Sequence, residues 1–514
     1  MSATRDAAAT PHAGDGRWIL ALVALKLAVQ ALGIPGYGYF RDELYYLECT
    51  RHLSWGYVDQ PPLSIAVLWA WRHVFGDSLW ALRALPALAG AGVVAIVAGL
   101  AREMGGGRYA MGLAALAVIA SPVELGTQQF FSMNAIEILL WALAAWQALR
   151  ALRSRATRDW AWLGVWVGLG LLNKLSMSWF ASGFALGLLV TPSRRALATP
   201  GPWLAVAIAG LLVAPHVAWQ VAHHWPTLEF MRRAEHLKMV PVSALDFALG
   251  QLKSMNPLTA PLWIVGLVAL LVARGEPARR AFGVLFLAVA GLLLAQGTSR
   301  ANYLTPAYPM LLAAGAVAFE RAFAKRRAWR VATPALIALM GALLLPAALP
   351  VLPEPVMVRY LRALGLSGRQ DERLAPAALG QHYADMHGWP AFADTVAAVV
   401  ARLTPEARRH CVVFAQNYGD ASAVNFFGRA RGLPHCFSSH NSYWIWGPPK
   451  EEPEVIIVLG GDADDNARVF DHIEIVTHVR TTWTMPYEQD VPVSIGRGLR
   501  VPLATLWPQL KNFI

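Results

Sequence analysis

The sequence predicts a polytopic α-helical membrane protein carrying a small C-terminal α/β domain. Three observations lead there. Of the 514 residues, 56% are apolar and only 15% charged, with a mean hydropathy of +0.40; an average soluble chain is about 25% charged. Long apolar segments recur up to Pro350. Beyond Pro350 the pattern changes to short alternating strands and helices punctuated by proline. The composition excludes a disordered chain, a collagen repeat and a coiled coil. It also leaves too little polar surface for a soluble enzyme.

The first 17 residues are polar and read as a cytoplasmic tail. No A-x-A type cleavage site follows, so the apolar run from Trp18 reads as an uncleaved first span. Apolar segments fall near 18–35, 80–101, 109–122, 132–149, 160–172, 175–190, 202–221, 261–273, 281–295, 303–319 and 331–350. The count is thus about eleven transmembrane helices, several shorter than the ~20 residues that cross a bilayer.

The net charge of +11 is largely a topology signal. With the N-terminus inside, alternate loops collect the short-loop basic clusters: Arg102 and Arg108; Arg150, Arg153, Arg155 and Arg158; Arg194 and Arg195; Arg274, Arg279 and Arg280; then Arg321 to Arg330. That is the positive-inside pattern, and it leaves little to support a nucleic-acid partner. Two longer segments, about 36–78 and 222–260, fall on the opposite side and mix aromatic, charged and apolar residues. They read as outer loops with helices lying at the membrane surface.

Residues 18–350 therefore form the transmembrane module, and 351–514 an outer-face domain, periplasmic in a Gram-negative host. Within it, 410–416, 433–438, 454–459, 474–480 and 491–497 read as strands, and 391–403, 421–429, 463–470 and 504–510 as helices. The chain has three cysteines, too few for a disulfide scaffold. Cys411 and Cys436 share this polar region, where an oxidising compartment would permit pairing.

The stretch Tyr39–Leu63, YFRDELYYLECTRHLSWGYVDQPPL, directly follows the first span. Arg41, Asp42 and Glu43 stand in a row at the membrane boundary. Asp42, Tyr45, Tyr46 and Cys49 have helical spacing, so the carboxylate projects beside aromatic rings. Such a group suits a general base or a partner for a cation; the plainer alternative is a solvated loop with an interfacial tyrosine belt. Asp59-Gln60-Pro61-Pro62-Leu63 ends one element and starts the next, with a helix expected from Pro62 or Leu63. Its free N–H groups would suit a phosphate.

An acidic pair after the first span, followed by a (D/E)-x-P-P-L element, resembles the membrane glycosyltransferases of family 39. These are the GT-C enzymes that include protein O-mannosyltransferases and lipid A aminoarabinose transferases. The resemblance implies a GT-C fold, a catalytic carboxylate at Asp42 with Glu43 beside it, and a phosphate and acceptor region at Asp59 and Gln60. The aminoarabinose branch carries Lys where this chain has Gln60. Phe131-Ser132-Met133-Asn134 with Glu137 resembles the group's second outer loop, and Leu172-Asn173-Lys174 a short Lys-bearing turn. Arg300-Ala301-Asn302-Tyr303 then Pro306 resembles its R-x-x-Y-x-x-P element.

Arg41, Asn134, Glu137, Lys174, Arg300 and Tyr303 thus join Asp59 and Gln60 as candidates for binding donor phosphate and substrate. A lysine on the outer side runs against the positive-inside trend and suggests an anionic partner. The arginine fork suits phosphate oxygens. Asn417-Tyr418-Gly419-Asp420, Gly432-Leu433-Pro434 and Ser439–Trp444 resemble the C-terminal domain of a bacterial branch of the group. They read either as a recognition surface or as turn chemistry.

The sequence marks no required cofactor and leaves a divalent metal open. For a divalent metal, Asp59, His223 and His224 are weak candidates, with Glu229 nearby in sequence. No phosphate-binding P-loop, zinc-finger spacing or nucleophile elbow occurs.

The expectation is an inverting glycosyltransferase, moving a hexosyl or pentosyl group from a polyprenyl-phosphate donor to a glycolipid, polymer or protein acceptor at the outer face of the inner membrane. The alternatives are a lipid-linked-sugar flippase, which would want polar groups at the midplane between repeated halves, and a scaffold tolerant of losing Asp42, Lys174 and Arg300. Lys26, inside the first span, fits none of these readings.

Overall fold

The computed structural model describes residues 14–273, 276–366 and 372–514. Most of the expected tail and Arg274 of the basic loops lie outside the described residues. The chain divides into two compact units.

The first unit comprises residues up to 34, 82–217 and 241–351. Eleven helices coincide with the eleven apolar segments, from Asp15–Ala31 to Arg327–Ala348. Among the described residues five are by themselves long and apolar enough to cross a membrane: Leu79–Glu103, Met133–Ser154, Pro200–Ala222, Ala278–Gln296 and Arg327–Ala348. A sixth is a broken pair, Ala244–Ser254 and Pro257–Leu271, bent by 95°. The break has a local cause. Pro257 lacks an N–H, and Asn256 adopts a left-handed φ of 69° while its side chain caps the next turn through Leu258 N. Part of the expected second outer loop is thus a half-helix of this unit.

Small residues let helices meet backbone to backbone here, as membrane packing favours. A Cβ on Gly266 would strike the carbonyl of Leu311, and one on Gly315 that of Leu262. The Ala260–Leu271 and Tyr308–Ala322 helices therefore pack along a seam no larger residue fits. Lys26 has its explanation in this unit. It is fully buried, with Glu124 as its countercharge and Gln128 bonded to that carboxylate at 2.6 Å.

The second unit comprises 35–81, 218–240 and 352–514. Its centre is a five-stranded sheet in the order β2-β1-β3-β5-β4, where β1 is Cys411–Ala415, β2 Cys436–Ser438, β3 Val455–Leu459, β4 Phe470–Arg480 and β5 Asp490–Leu499. β2, β1 and β3 run parallel, with Val413 opposite both Cys436 and Ile457. β5 is antiparallel to β3 and β4. β3 is buried along its whole length, as a central apolar run should be. Helices Trp389–Ala401 and Tyr418–Gly428 pack with each other beside the sheet.

Cys411, Cys436 and Cys49 are buried free thiols, so the pairing that an oxidising compartment would have permitted is not made. The two cysteines belong to neighbouring strands but Cys436 registers with Val413.

Candidate functional site

The first cluster belongs to the second unit and is built on the helix Arg41–Cys49. Phe40 is extended at its N-cap, and Glu43 folds back so that its Oε2 accepts the Phe40 N–H at 2.8 Å. Glu43 is completely buried. It caps its own helix, so the structure does not place it as a second carboxylate in the open beside Asp42.

Asp42, one position earlier, keeps a third of its side chain exposed. Its Oδ1 accepts a hydrogen bond from the Tyr418 hydroxyl at 2.9 Å and has the Arg41 Nε 3.9 Å away. Carboxylates in the first helical turn also meet the positive end of the dipole. Arg41 is held on several sides. Its Nη1 donates to the Tyr487 hydroxyl at 2.7 Å, its Nη2 lies 3.6 Å from Asp385, and its guanidinium sits 5.5 Å from the Tyr418 ring centre. Gly419 makes room for it, since a Cβ there would fall 2.7 Å from Arg41 Cγ.

Asp59 accepts a hydrogen bond from Tyr45 at 3.0 Å. Tyr45 and Tyr418 pack ring against ring, 4.6 Å between centroids. The pair therefore links two carboxylates: Asp59, then Tyr45, then Tyr418, then Asp42. Burial pushes the Asp59 carboxyl up to about 7; the Tyr45 hydrogen bond opposes this and the Asp42 charge reinforces it. Burial likewise raises Asp385, Asp420 and Glu488, with Arg41 opposing in each case. One guanidinium facing this many carboxylates cannot keep them all ionised. Burial pushes His440 down to about 4, so its neutral Nε2–H donates to the Ile514 carbonyl at 2.9 Å.

Ser442 ties the C-terminal segment to this helix. Its N–H donates to the Tyr45 hydroxyl at 3.3 Å and its Oγ accepts the Val58 N–H at 3.1 Å. Asn441 before it holds φ 50° and ψ −131°, a corner that suits glycine. A cleft of about 220 Å³ opens beside Tyr418, lined by Arg41, Lys238, His440 and Tyr487 among others. Gln60 is buried, and its backbone closes the turn that leads into the helix Leu63–Phe75.

The second cluster belongs to the first unit. Lys174 ends the helix Thr157–Asn173 as its C-cap. Its Nζ donates to Asn134 Oδ1 at 2.7 Å and Glu137 Oε2 at 2.8 Å, and lies 5.7 Å from the Tyr303 ring centre. Ser176 donates to the other Glu137 oxygen. The anionic partner that the sequence suggested for Lys174 is thus present in the chain. Arg300 is the N-cap of the short helix that carries Tyr303, and its carbonyl accepts the Tyr303 N–H at 3.1 Å.

Among the described residues no group of three or more His, Cys, Asp or Glu side chains is arranged to hold a metal ion. Asp59, His223 and His224 do not assemble into one. His223 stacks on Trp219, 4.3 Å between centroids, and Glu229 pairs with Lys511 at 2.8 Å. Sequence reasoning missed Tyr487, Asp385 and Glu488, which no local motif marks. Tyr418 and Asp420 stood in a quoted motif, without a partner assigned.

Residues 59–219 match the family described as dolichyl-phosphate-mannose-protein mannosyltransferase. The lipid A galacturonosyltransferase RgtD of Rhizobium johnstonii is 24% identical over 243 residues, 46% of this chain and 51% of that protein. The chain thus spans about half the length of that curated relative. Among solved structures, ArnT from Cupriavidus metallidurans bound to undecaprenyl phosphate superposes with a TM-score of 0.62, at 16% identity over 94% of this chain and 98% of that one. AglB from Archaeoglobus fulgidus, in complex with an inhibitory peptide and a dolichol-phosphate, gives 0.51 at 13% identity over 83% of this chain and 65% of that one. The fold is that of the GT-C glycosyltransferases, and these matches support the resemblance to family 39.

Proposed function

We propose that the chain is an inverting glycosyltransferase that takes a sugar from a polyprenyl-phosphate donor at the periplasmic face of an inner membrane. The observation that carries this reading is Asp42. It is a partly exposed carboxylate in the first turn of its helix, held by the hydroxyl of Tyr418, and Tyr418 in turn lines a cleft of about 220 Å³.

Asp42 takes the proton of an acceptor hydroxyl. The hydroxyl oxygen attacks the anomeric carbon as the bond from that carbon to the phosphate oxygen breaks. The polyprenyl phosphate leaves with the electron pair, and configuration inverts in one displacement. A phosphate leaving group needs little protonation, so positioning and charge stabilisation supply most of the effect. Arg41 orients the catalytic turn, Asp59 and Gln60 belong to the acceptor region, and the cleft beside Tyr418 receives the acceptor. Asn134, Glu137, Lys174, Arg300 and Tyr303 serve the donor phosphate.

The reading is tested with full-length protein in native membranes, given a mixed pool of radiolabelled polyprenyl-phosphate sugars. Extraction into lipid, polymer and protein fractions then names donor and acceptor together. Label in no fraction overturns the enzyme reading, and a lipid-linked-sugar transport assay follows.

A further inference from the structure

To take a proton, the Asp42 carboxylate must be aimed at the acceptor hydroxyl. Asp42 sits on a helix that spans Arg41–Cys49, at a third exposure, where a carboxylate has rotamer freedom. Its orientation is set from 376 residues away in the chain, by the hydroxyl of Tyr418 on Oδ1.

The local sequence around Tyr418 is built for that contact. Asn417 accepts the Asp420 N–H at 2.9 Å and so begins the Tyr418–Gly428 helix at this point. Tyr418 is therefore the first helical residue, pointing back from the helix start. Gly419 clears the stem of Arg41. The phenol is 7% exposed and its ring is packed on three sides by Tyr45, His440 and the Arg41 guanidinium, at 4.6, 4.9 and 5.5 Å. Ser442 in turn anchors Tyr45. A ring held this way has one place to put its hydroxyl.

We propose that Tyr418 is a positioning residue for sugar transfer: it holds Oδ1 of Asp42 so that Oδ2 faces the acceptor hydroxyl. This rests on the glycosyltransferase reading. A buried tyrosine that merely satisfied its own hydroxyl would matter for folding and not for turnover. A hydrogen bond to a charged acceptor contributes enough that losing it from the transition state slows transfer roughly ten- to hundredfold.

The experiment compares wild type, Asp42→Asn and Tyr418→Phe in matched native membranes, with whichever labelled donor and acceptor the wild type joins from the mixed pool. Label moved by wild type and not by Asp42→Asn upholds the enzyme reading on its own. Tyr418→Phe is then expected to lose kcat by about the factor above, with KM for both substrates within about twofold. A kcat within about twofold of wild type, or a rise in KM alone, overturns the proposal. Should Tyr418→Phe fail to fold, a ring-fluorinated tyrosine at the same position keeps ring and hydroxyl and changes only donor strength. A graded change in kcat is then expected, and an unchanged kcat overturns the proposal. No transfer by wild type overturns the enzyme reading and this proposal with it.

Discussion

Lys174 Nζ lies 2.8 Å from Glu137 Oε2, and Glu137 is almost wholly buried. The lysine is thus neutralised inside its own unit, and a donor phosphate at Lys174 would have to share it with Glu137. Removing one partner strands the other. Lys174→Met leaves a buried carboxylate that keeps the Ser176 hydroxyl but loses its lysine, at a cost of about 3 kcal/mol. Lys174→Met with Glu137→Met should recover most of it. Thermal unfolding in detergent checks both variants.

A second prediction concerns pH. The Asp59 carboxyl titrates at about 7 in the fold, raised by burial, and near 4 in an unfolded chain. Between those values the folded state binds more protons than the unfolded one. Its contribution to stability is therefore complete below about pH 4 and is lost as pH rises through about 7. His440, depressed to about 4, works the other way up to about pH 6.5, so the two must be separated. Asp59→Asn removes only the first. The stability difference between wild type and Asp59→Asn should move against wild type as pH rises from 4 to 7. A difference that is flat with pH contradicts the assignment.

A third concerns the strained corner at Asn441. Its side chain accepts the Ile514 N–H at 3.1 Å and donates to the Ile514 carbonyl at 3.3 Å, while its backbone sits where glycine is comfortable. Asn441→Ala loses the hydrogen bonds and keeps the strain, and should destabilise by about 1–3 kcal/mol. Asn441→Gly loses the same bonds but relieves the backbone, and should be milder. Limited proteolysis of the two variants ranks them.

The three cysteines give a fourth. All are buried free thiols, and burial pushes Cys411 up to about 11. Little thiolate and little access mean slow reaction. A maleimide should label none of them in the native protein and all three after denaturation, with no shift on a non-reducing gel.

How much of this was legible in the sequence follows from the range of each signal. Apolar runs and strand alternation are local, so all eleven apolar segments and all five strands appear where the pattern put them. The helix from Leu63 was marked by Pro61-Pro62. Asn134, Glu137, Lys174 and Tyr303 were singled out by resemblance to a family; Asn134 and Glu137 share a helix at i,i+3 spacing, but nothing local connects them to Lys174 and Tyr303. The Asp42–Tyr418 contact spans most of the chain, so nothing near Asp42 announces it. The Glu43 cap was not legible for a related reason: an acidic residue in a first turn reads alike whether it faces solvent or caps its own helix. Adjacency of His223 and His224 in a loop carries no information about where their rings point.

The proposed role of Asp42 is to take the proton in sugar transfer. It is tested most directly by comparing wild type and Asp42→Asn in matched membranes for transfer of radiolabelled sugar from polyprenyl phosphate, with expression and unfolding midpoint measured on the same samples. Transfer is expected from wild type only, at equal expression and an unchanged midpoint. Normal transfer by Asp42→Asn would contradict it.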